Sequence, residues 1–377
     1  MEHPGLQLTR SDDRTAEVDA FVERVGPRVG LRGVLGDLDR RAKAVRVPAP
    51  GVSWGFRWDR EDTWSKRWWP QGISSHADAA DEDLVEGRPV LVTSSYSKDV
   101  GGVSMGARLT FVDLADRSDI RYRHVLLVEP VLREDGSVGV KPVHVHAVGI
   151  VWHGDHVHVA GTKRGFTSFR LDDVVRVPTG DAARLRIRDA SPRTVDTFGH
   201  RYVLPVRFTY VARTAAGAHP MRYSFASLDR STTPHELVVG EYGRGRQTTR
   251  LARFEIDPET SLLRADAGGA CLPTMLTGDG VRGMQGAAVV QGTWFVTNSH
   301  GPYKLGSLWV GTPGELRERR HRLPMGPEDI AYWPQRDELW SVTEHPGRRW
   351  VFGMPRGPRA AGPRTPRAHR ADRARRP

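Results

Sequence analysis

Two patterns of hydrophobic and polar positions divide this chain. Residues 12–44 contain apolar residues spaced like one face of a helix, with Asp12 or Asp13 as the predicted N-cap. That apolar face consists of Val18, Phe21, Val22 and Val25. From about residue 48, short runs rich in Val, Thr, Trp, Tyr and Phe follow, each bounded by Gly, Pro or Asp. The pattern predicts a short helical segment followed by β-strands joined by turns.

A weak internal repeat runs through the β region. Each copy has an apolar strand, a turn and a second strand, and copies begin near residues 71, 148, 222, 285 and 328. A third strand follows each pair, and fourth strands are predicted in several copies, including Val174–Val177 in the second. Gly51–Trp58 is expected to supply the fourth strand of the last copy, which would join the two ends of the chain.

Four-stranded antiparallel units repeated in this way form propellers, since radial closure protects the edges of their sheets. The predicted fold is all-β, a single β-propeller of about five four-stranded blades. A sixth blade around Arg201–Val211 is the alternative. The predicted organisation is an N-terminal helical extension (1–47), the propeller (48–353) and a disordered Arg/Pro-rich tail (354–377).

The net charge of +11 is concentrated at the C-terminal end of the chain. Residues 353–377 hold eight Arg and one Asp, so the rest of the chain carries only about +4. A basic tail of this kind can make weak electrostatic contacts with RNA, DNA or anionic lipid. It can equally be a solvated segment with no specific partner, and no specific nucleic acid is expected.

The cysteine count and the hydropathy exclude several kinds of structural feature. Cys271 is the only cysteine, which excludes an intramolecular disulfide and a cysteine-based zinc site. No apolar run is long enough for a transmembrane helix, and the N-terminus shows no signal-peptide pattern. The sequence as written is therefore expected to be cytoplasmic, or exported if the true start lies upstream.

Two of the copies resemble blades of a known group of propellers. Segments 326–344 (GPEDIAYWPQRDELWSVTE) and 284–298 (MQGAAVVQGTWFVTN) resemble the first two strands of blades in gluconolactonase-like and related six-bladed propellers. In that family, inner-strand Glu, Asn and Asp side chains hold one divalent metal in the channel, and an acidic residue serves as base. The resemblance implies such a role for Glu328 and a calcium or zinc ion, although Gln285 and Val148 occupy that place in other copies. The whole chain also resembles propeller proteins of actinobacteria, which implies no particular activity.

The first side chains of a propeller's inner strands point into the central channel, and ligands bind at its mouth. The predicted channel residues are Gln71, His146, Tyr223, Gln285 and Glu328. A second ring at the exits of the second strands comprises Tyr96, Glu241, Asn298 and Glu344, with Lys98, His300 and His345 in the loops beyond. Converging polar groups suit either a small-molecule site or a water-filled channel.

Histidines are dense between residues 144 and 158. His144 and His146 alternate with valines, as do His156 and His158, so each pair is predicted to share one face of a strand. Two such pairs suit zinc or another transition metal. They are also typical of an ordinary, half-exposed face of a sheet.

Paired carboxylates and clustered tryptophans suggest chemistry on sugars. Glu328 and Glu344 are the best pair for acid–base work, and a salt bridge that stabilises a blade is the alternative. Five of the eleven tryptophans lie between Trp54 and Trp69, where they stack on sugar faces or fill the space between blades.

Two functions remain open on this sequence. The first is a propeller that binds a small molecule or carbohydrate at the channel mouth. If it is an enzyme, it is expected to be a lactonase- or glycosidase-like hydrolase, with Glu328 or Glu344 as the acid or base. Its ligand-binding residues would be Gln71, His146, Tyr223, Gln285 and Asn298, and its weak metal candidates are Glu328, His144 and His146. The second is a non-catalytic scaffold. A deep polar pocket that contains a carboxylate of raised pKa would favour the enzyme hypothesis. A flat apolar face would favour the scaffold hypothesis.

Overall fold

The structure, a computed structural model, describes residues 5–81, 84–134, 138–178 and 197–357. The first part of the chain holds short helices and strands. They are β1 (Gln7–Arg10), α1 (Thr15–Val25), α2 (Gly30–Leu35), β2 (Arg40–Arg41), β3 (Lys43–Ala44), β4 (Trp54–Arg57) and α3 (Arg60–Trp64).

The remaining elements follow as five groups along the chain. The first group is β5 (Trp68–Ser75), α4 (His76–Ala79), β6 (Val90–Ser97), β7 (Ala107–Asp113), β8 (Arg121–Leu132) and β9 (Val138–Pro142). The second is β10 (Ile150–His153), β11 (His156–Gly161), β12 (Gly165–Arg170), a 3-10 turn (Leu171–Asp173), β13 (Val175–Arg176) and β14 (Tyr202–Arg213). The third is β15 (Phe225–Asp229), β16 (Glu236–Gly240), β17 (Leu251–Glu255), β18 (Ala270–Cys271) and β19 (Met275–Thr277). The fourth is β20 (Met284–Val290), β21 (Thr293–Asn298), β22 (Leu305–Gly311) and β23 (Arg317–Met325). The fifth is β24 (Pro327–Trp333), a 3-10 turn (Pro334–Arg336), β25 (Glu338–Thr343) and β26 (Trp350–Pro355).

These groups form five units around a ring, and the first two units are joined in one sheet through the pairing of β14 with β8. Within the units the hydrogen-bonded orders are β5-β6-β7-β8, β10-β11-β12-β14, β15-β16-β17-β19, β20-β21-β22-β23 and β24-β25-β26-β4. The first strands of successive units contact one another, and β24 returns to contact β5. The fold is therefore the all-β architecture of a propeller, with the first strands innermost.

The last unit takes its fourth strand from the beginning of the chain. Strand β4 pairs antiparallel with β26, with Arg57 opposite Trp350 and Trp54 opposite Gly353. This pairing confirms the prediction that Gly51–Trp58 completes the last repeat. It joins the two ends of the chain in one sheet.

The outer strand of the second unit differs from its prediction. Val174–Val177 was expected to be that strand, but it contributes only the short β13. The position is taken by β14, which pairs with β12 and, through residues 203–205, runs parallel to β8 of the first unit. Segment 201–211, which the sequence left open as a sixth blade, thus lies in the second unit, since Val and aromatic residues favour any strand position.

The N-terminal segment is less helical than its apolar spacing predicts. Helix α1 buries Val18, Phe21 and Val25 against outer strands, as the spacing predicts. Its N-cap is Arg14, not an aspartate, and the Asp13 carboxylate instead accepts a hydrogen bond from Thr15 Oγ1 at 2.6 Å. Strands β1, β2 and β3 pair with β14, β8 and β4, which ties the segment to the propeller.

The predicted domain boundaries at residues 47 and 353 remain predictions. Residues 358–377, most of the predicted tail, lie outside the described residues. Within the described ranges, no helix has the length and apolar character needed to cross a bilayer.

Candidate functional site

One cavity is lined by the equivalent residue of every inner strand. Its floor is lined by one residue from, or just before, each of these strands, namely Gln71, Val148, Ser224, Gln285 and Glu328. The cavity has a volume of about 580 Å³ and is also lined by side chains from the loops above. Repetition of the units therefore brings residues that are distant in sequence to one site at the channel mouth.

Below this floor, the inner strands approach one another too closely for ordinary side chains. A β-carbon on Gly286 would lie 2.6 Å from the Cα of Asp329 on the next inner strand. A β-carbon on Gly72 would lie 2.9 Å from the amide nitrogen of Ile150. The glycines that follow Gln71 and Gln285 thus allow the close strand contacts beneath the cavity.

Glu328 is a buried carboxyl group in the floor of the cavity. It is 4% exposed, and its Oε1 accepts a hydrogen bond from Gln285 Nε2 at 3.0 Å. Burial raises the pKa of Glu328 well above the usual range of glutamic acid, and the neighbouring Glu344 and Asp329 raise it further. No basic side chain forms an ion pair with it among the described residues, so Glu328 retains its proton to a higher pH than an ordinary glutamic acid.

Glu344 lies beside it in a more polar setting. Its Oε2 accepts a hydrogen bond from Gln71 Nε2 at 3.1 Å, and its Oε1 lies 3.6 Å from His345 Nδ1. Burial raises the pKa of Glu344, while Lys98, the hydrogen bond from Gln71 and Arg349 oppose that rise. The two carboxyl groups therefore have different environments, as an acid and a base in one site require.

Arg349 forms a hydrogen bond to the backbone of Glu344. This fully buried guanidinium donates from Nε to the Glu344 carbonyl oxygen at 2.7 Å and from Nη1 to the Asp62 carbonyl oxygen at 2.7 Å. Burial lowers the pKa of Arg349 to about 10. The arginine thereby connects α3 to the strand end that carries Glu344.

Aromatic and basic side chains form the adjoining wall. The rings of Tyr96 and His146 meet edge to face, with centroids 4.2 Å apart. Lys98 Nζ lies 3.1 Å from the centroid of the Trp69 ring. Burial lowers the pKa of His146, with a further contribution from Lys98, so this imidazole favours its neutral form.

The third unit contributes residues that the sequence analysis missed. Arg222 precedes β15, while Tyr242, Arg244 and Gln247 lie in the loop between β16 and β17, and all four line the cavity. Their only signal in the sequence is their position next to strand ends. Glu241, expected in the second ring, is 1% exposed and instead anchors this loop through the Arg222 amide at 3.0 Å.

The structure brings most of the predicted site residues together but not all of them. The cavity is lined by Gln71, Tyr96, Lys98, His146, Gln285, Glu328, Glu344 and His345. Tyr223 instead points into the core, where its ring packs 5.4 Å from that of Phe166. Asn298 donates from Nδ2 to the Arg282 carbonyl oxygen at 2.5 Å and does not line the cavity.

His300 lies at a separate cavity of the fourth unit. Its Nε2 is 2.9 Å from Ser307 Oγ, and Glu318 lines the same space. His300 follows the second strand of its unit, as predicted. Its side chain nevertheless turns away from the channel mouth, which its position in the sequence does not indicate.

The histidine pairs do not assemble a metal site. His144 and His146 lie in the connection between β9 and β10 and not on a strand, which corrects their predicted shared face. His156 and His158 do lie on one face of β11, with stacked rings 6.0 Å apart. Across residues 5–81, 84–134, 138–178 and 197–357, no group of three or more His, Cys, Asp or Glu side chains is placed to hold one metal ion.

The divalent metal implied by gluconolactonase-like propellers does not fit this donor set either. Around Glu328, the matching floor positions supply Gln71, Gln285, the hydroxyl of Ser224 and the apolar Val148, and Glu344 is the one other carboxyl group of the lining. Gln71 and Gln285 turn their amide N–H groups, and not their carbonyl oxygens, toward the two carboxyl groups. Hard divalent cations favour several carboxylate and carbonyl oxygens. The expected Asn and Asp partners are not at these positions.

The clustered tryptophans divide between the two predicted roles. Trp54 and Trp58 pack with Phe56, Tyr122 and Trp340 in the core where the last unit meets the first. Trp69 alone of the five lines the cavity. Trp54 and Trp58 therefore stabilise the fold, whereas Trp69 faces the cavity.

Comparisons with known proteins gave only distant similarities to solved structures. No protein-family model matches this sequence, and no curated protein matches it. Among solved structures, a gluconolactonase from Xanthomonas campestris is 15% identical, with 88% of this chain and 87% of that chain covered and a TM-score of 0.32. A GH43_1 enzyme from Xanthomonas citri, solved with xylose, is 12% identical, covering 90% and 92%, with a TM-score of 0.34. The Cps50 (Swd1) β-propeller domain from Myceliophteria thermophila is 10% identical, covering 84% and 99%, with a TM-score of 0.35. Such scores carry no conclusion about activity, and the propeller fold stands on this chain's own strand pairing.

Proposed function

We propose that the cavity at the channel mouth binds a small polar molecule of the carbohydrate class and hydrolyses a bond in it. The observation that carries this proposal is the pair of carboxyl groups, Glu328 and Glu344, in one polar cavity. Burial raises the pKa of both, and that of Glu328 the more strongly. Strongly perturbed carboxyl groups in a cleft are typical of general acid–base sites.

Their different environments assign the two roles. Glu328, which retains its proton, donates it to the leaving oxygen as the bond from that oxygen to the substrate carbon breaks. Glu344, near the cation Lys98, accepts a proton from the water whose oxygen forms the new bond to that carbon. One water is consumed, and proton exchange with solvent then restores both carboxyl groups.

Neighbouring polar groups keep these carboxyl groups in place. Gln285 and Gln71 donate one amide hydrogen bond each, to Glu328 and Glu344 respectively. The neutral imidazole of His146 offers a further partner for a substrate hydroxyl group. Such fixed donors position reacting groups without reorganisation during the reaction.

The scaffold hypothesis receives less support from this geometry. A scaffold is expected to present a flat aromatic or apolar face and a channel without perturbed groups. The cavity instead contains two carboxyl groups, three glutamine amides and several basic side chains. Non-catalytic binding of the same ligand remains one outcome of the test.

The test is hydrolysis of a panel of aryl glycosides and sugar lactones by the purified chain and two variants. We expect Glu328→Gln and Glu344→Gln each to lower kcat by about 100-fold or more, because each removes a proton-transfer group. Glu315→Gln serves as the control, since Glu315 is exposed and does not line the cavity. Thermal melting of each variant checks that the fold is retained.

Two results would contradict the proposal. The first is a wild-type chain that hydrolyses nothing in the panel, and the second is a Glu328→Gln variant with the wild-type rate. Because the donor set does not fit a divalent metal, activity is expected to survive extensive treatment with a chelator. Loss of activity on chelation, with recovery on adding calcium or zinc, would instead support the metal mechanism of gluconolactonase-like propellers.

A further inference from the structure

The side chains of the cavity carry an excess of positive charge. Lys98, Arg222 and Arg244 all line it, whereas its acidic residues are only Glu328 and Glu344. Burial and neighbouring charges keep the pKa of Glu328 high and those of His146 and His345 low, so all three favour their neutral forms. Glu344 is then the one anionic group that opposes three cations in this lining.

The two arginines differ from their neighbours in having no carboxylate partner. In the same unit, Arg250 pairs with Glu241 at 2.8 Å, and Arg253 pairs with Glu236 at 2.9 Å. Among the described residues, neither Arg222 nor Arg244 lies within ion-pair distance of an acidic group. Their guanidinium groups therefore remain available to a ligand in the cavity.

Their place in the ring separates them from the reacting carboxyl groups. Arg222 and Arg244 belong to the third unit, whereas Glu328 and Glu344 belong to the fifth. Because the inner strands follow one another around the ring, the third unit lies across the cavity from the contact between the fifth and first units. A ligand that spans the cavity would place one end at the arginines and the other at the carboxyl groups.

We propose that the substrate carries an anionic group, a carboxylate or a phosphate, which Arg222 and Arg244 bind while Glu328 and Glu344 act at its other end. The inference rests on the proposed function and narrows its substrate class to acidic sugars. Guanidinium groups suit both anions, because their planar donors match two oxygens at once. Lys98 adds positive potential from the opposite side, where it also lies near Glu344.

Calorimetric titration at low salt tests this substrate class with matched probes. Glucose is the neutral probe, and glucuronate and glucose 6-phosphate are the acidic ones, so a preference between the last two distinguishes carboxylate from phosphate. We expect the better acidic probe to bind about tenfold or more tightly than glucose, the scale of a hydrogen bond to a charged group. Added salt should reduce that preference by screening.

Three variants separate these arginines from general surface charge. Arg222→Gln and Arg244→Gln are each expected to remove most of the preference for the acidic probe. Arg246→Gln removes the same charge from the same loop but lies outside the cavity lining, so it should retain the preference. The inference is overturned if no acidic probe binds more tightly than glucose, or if the Arg222 and Arg244 variants behave like Arg246→Gln.

The outcomes also separate this inference from the proposed function. Glu328→Gln should lower kcat by about 100-fold or more and keep the preference for the acidic probe. Acid-selective binding without hydrolysis by the wild-type chain would contradict the hydrolase and support the arginine site. Hydrolysis of neutral substrates without any acid preference would contradict the arginine site and support the hydrolase.

Discussion

Glu328 and Glu344 lie in the same cavity, yet their neighbours give them different proton affinities. Glu328 has an amide donor and nearby acidic groups, so burial acts on it with no cation to offset the loss of water. Glu344 has Lys98 and Arg349 close enough to favour its charged form. The placement of those two cations is the reason that we propose Glu328 as the acid and Glu344 as the base.

Lys98 offers a direct test of that difference. Replacing it in Lys98→Met removes a cation that lowers the pKa of Glu344, so the pKa of Glu344 should rise. Because the proposed base is Glu344 in its charged form, activity at low pH should be lost at a higher pH than in the wild type. The measurement is the pH profile of kcat/KM, with Arg246→Gln as a control that changes charge outside the cavity.

The basic limb of the same profile provides an internal reference. It reports the loss of the proton from Glu328, and Lys98 is not among the groups that shift the pKa of this residue. Lys98→Met should therefore move the acid limb and leave the basic limb in place. An unmoved acid limb would show that Glu344 is not the base.

Asp329 shows that not every buried carboxyl group belongs to the cavity. It is fully buried next to Glu328 but outside the cavity lining, and the backbone amides of Ile330, Ile73 and Ile150 face it without full hydrogen-bond geometry. Burial nevertheless raises its pKa well above the usual range for aspartic acid. Its place between three inner strands indicates a structural role at the centre of the ring.

At the scale of elements, the inner strands depend on glycine at their points of closest approach. The residue after each glutamine of the floor is a glycine, Gly72 or Gly286, whose missing side chain leaves room for the neighbouring strand. Ordinary residues at these points would separate the strands and widen the floor of the cavity. The shape of the site therefore depends on residues that have no polar group to offer.

Gly286→Ala tests this close packing. We expect it to lower the free energy of unfolding by about 1–3 kcal/mol, because the added methyl group would contact the backbone of Asp329 and Ile330. The measurement is urea unfolding with analysis of the midpoint and slope. Gly278→Ala is the matched control, since no atom lies within 4 Å of a β-carbon there. Equal effects at both positions would mean that the strands are not closely packed at Gly286.

At the scale of the whole molecule, the fold is closed by a strand from the opposite end of the chain. Strand β4 completes the sheet of β24, β25 and β26, and its Phe56 is fully buried among Trp54, Trp58 and Trp340. Pairing of this strand leaves β26 without an open edge. Stability of the ring is thus tied to a strand within the first part of the chain, before the first repeat.

Phe56→Ala tests the contribution of that closure. Removing the buried ring should lower the free energy of unfolding by about 3–5 kcal/mol, through lost burial and the cavity left behind. Trp64→Ala is the control, because the Trp64 side chain is 61% exposed and should change stability by less than about 0.5 kcal/mol. If both variants unfold at the wild-type denaturant concentration, β4 does not contribute to closing the ring.

The strands, their repetition and much of the cavity lining could be predicted from patterns in the sequence. Alternating apolar runs located the inner strands, and the Gln71, Gln285 and Glu328 positions followed from aligning the repeats. The same alignment identified Gly51–Trp58 as the closing strand. Such features are predictable because they arise from local periodicity and from turns between neighbours in sequence.

The register in the other units and the loops that reach the cavity depend on the packing of distant segments and could not be predicted in this way. In the third unit the predicted Tyr223 is buried in the core, and Ser224 faces the cavity, because a slip of one residue along a strand moves a side chain to the other face. Arg222 and Arg244 lie in segments outside the strands. Such segments have no periodic pattern of apolar residues from which their position could be predicted. The pKa of Glu328 likewise depends on burial by residues far apart in sequence, so no local pattern predicts it.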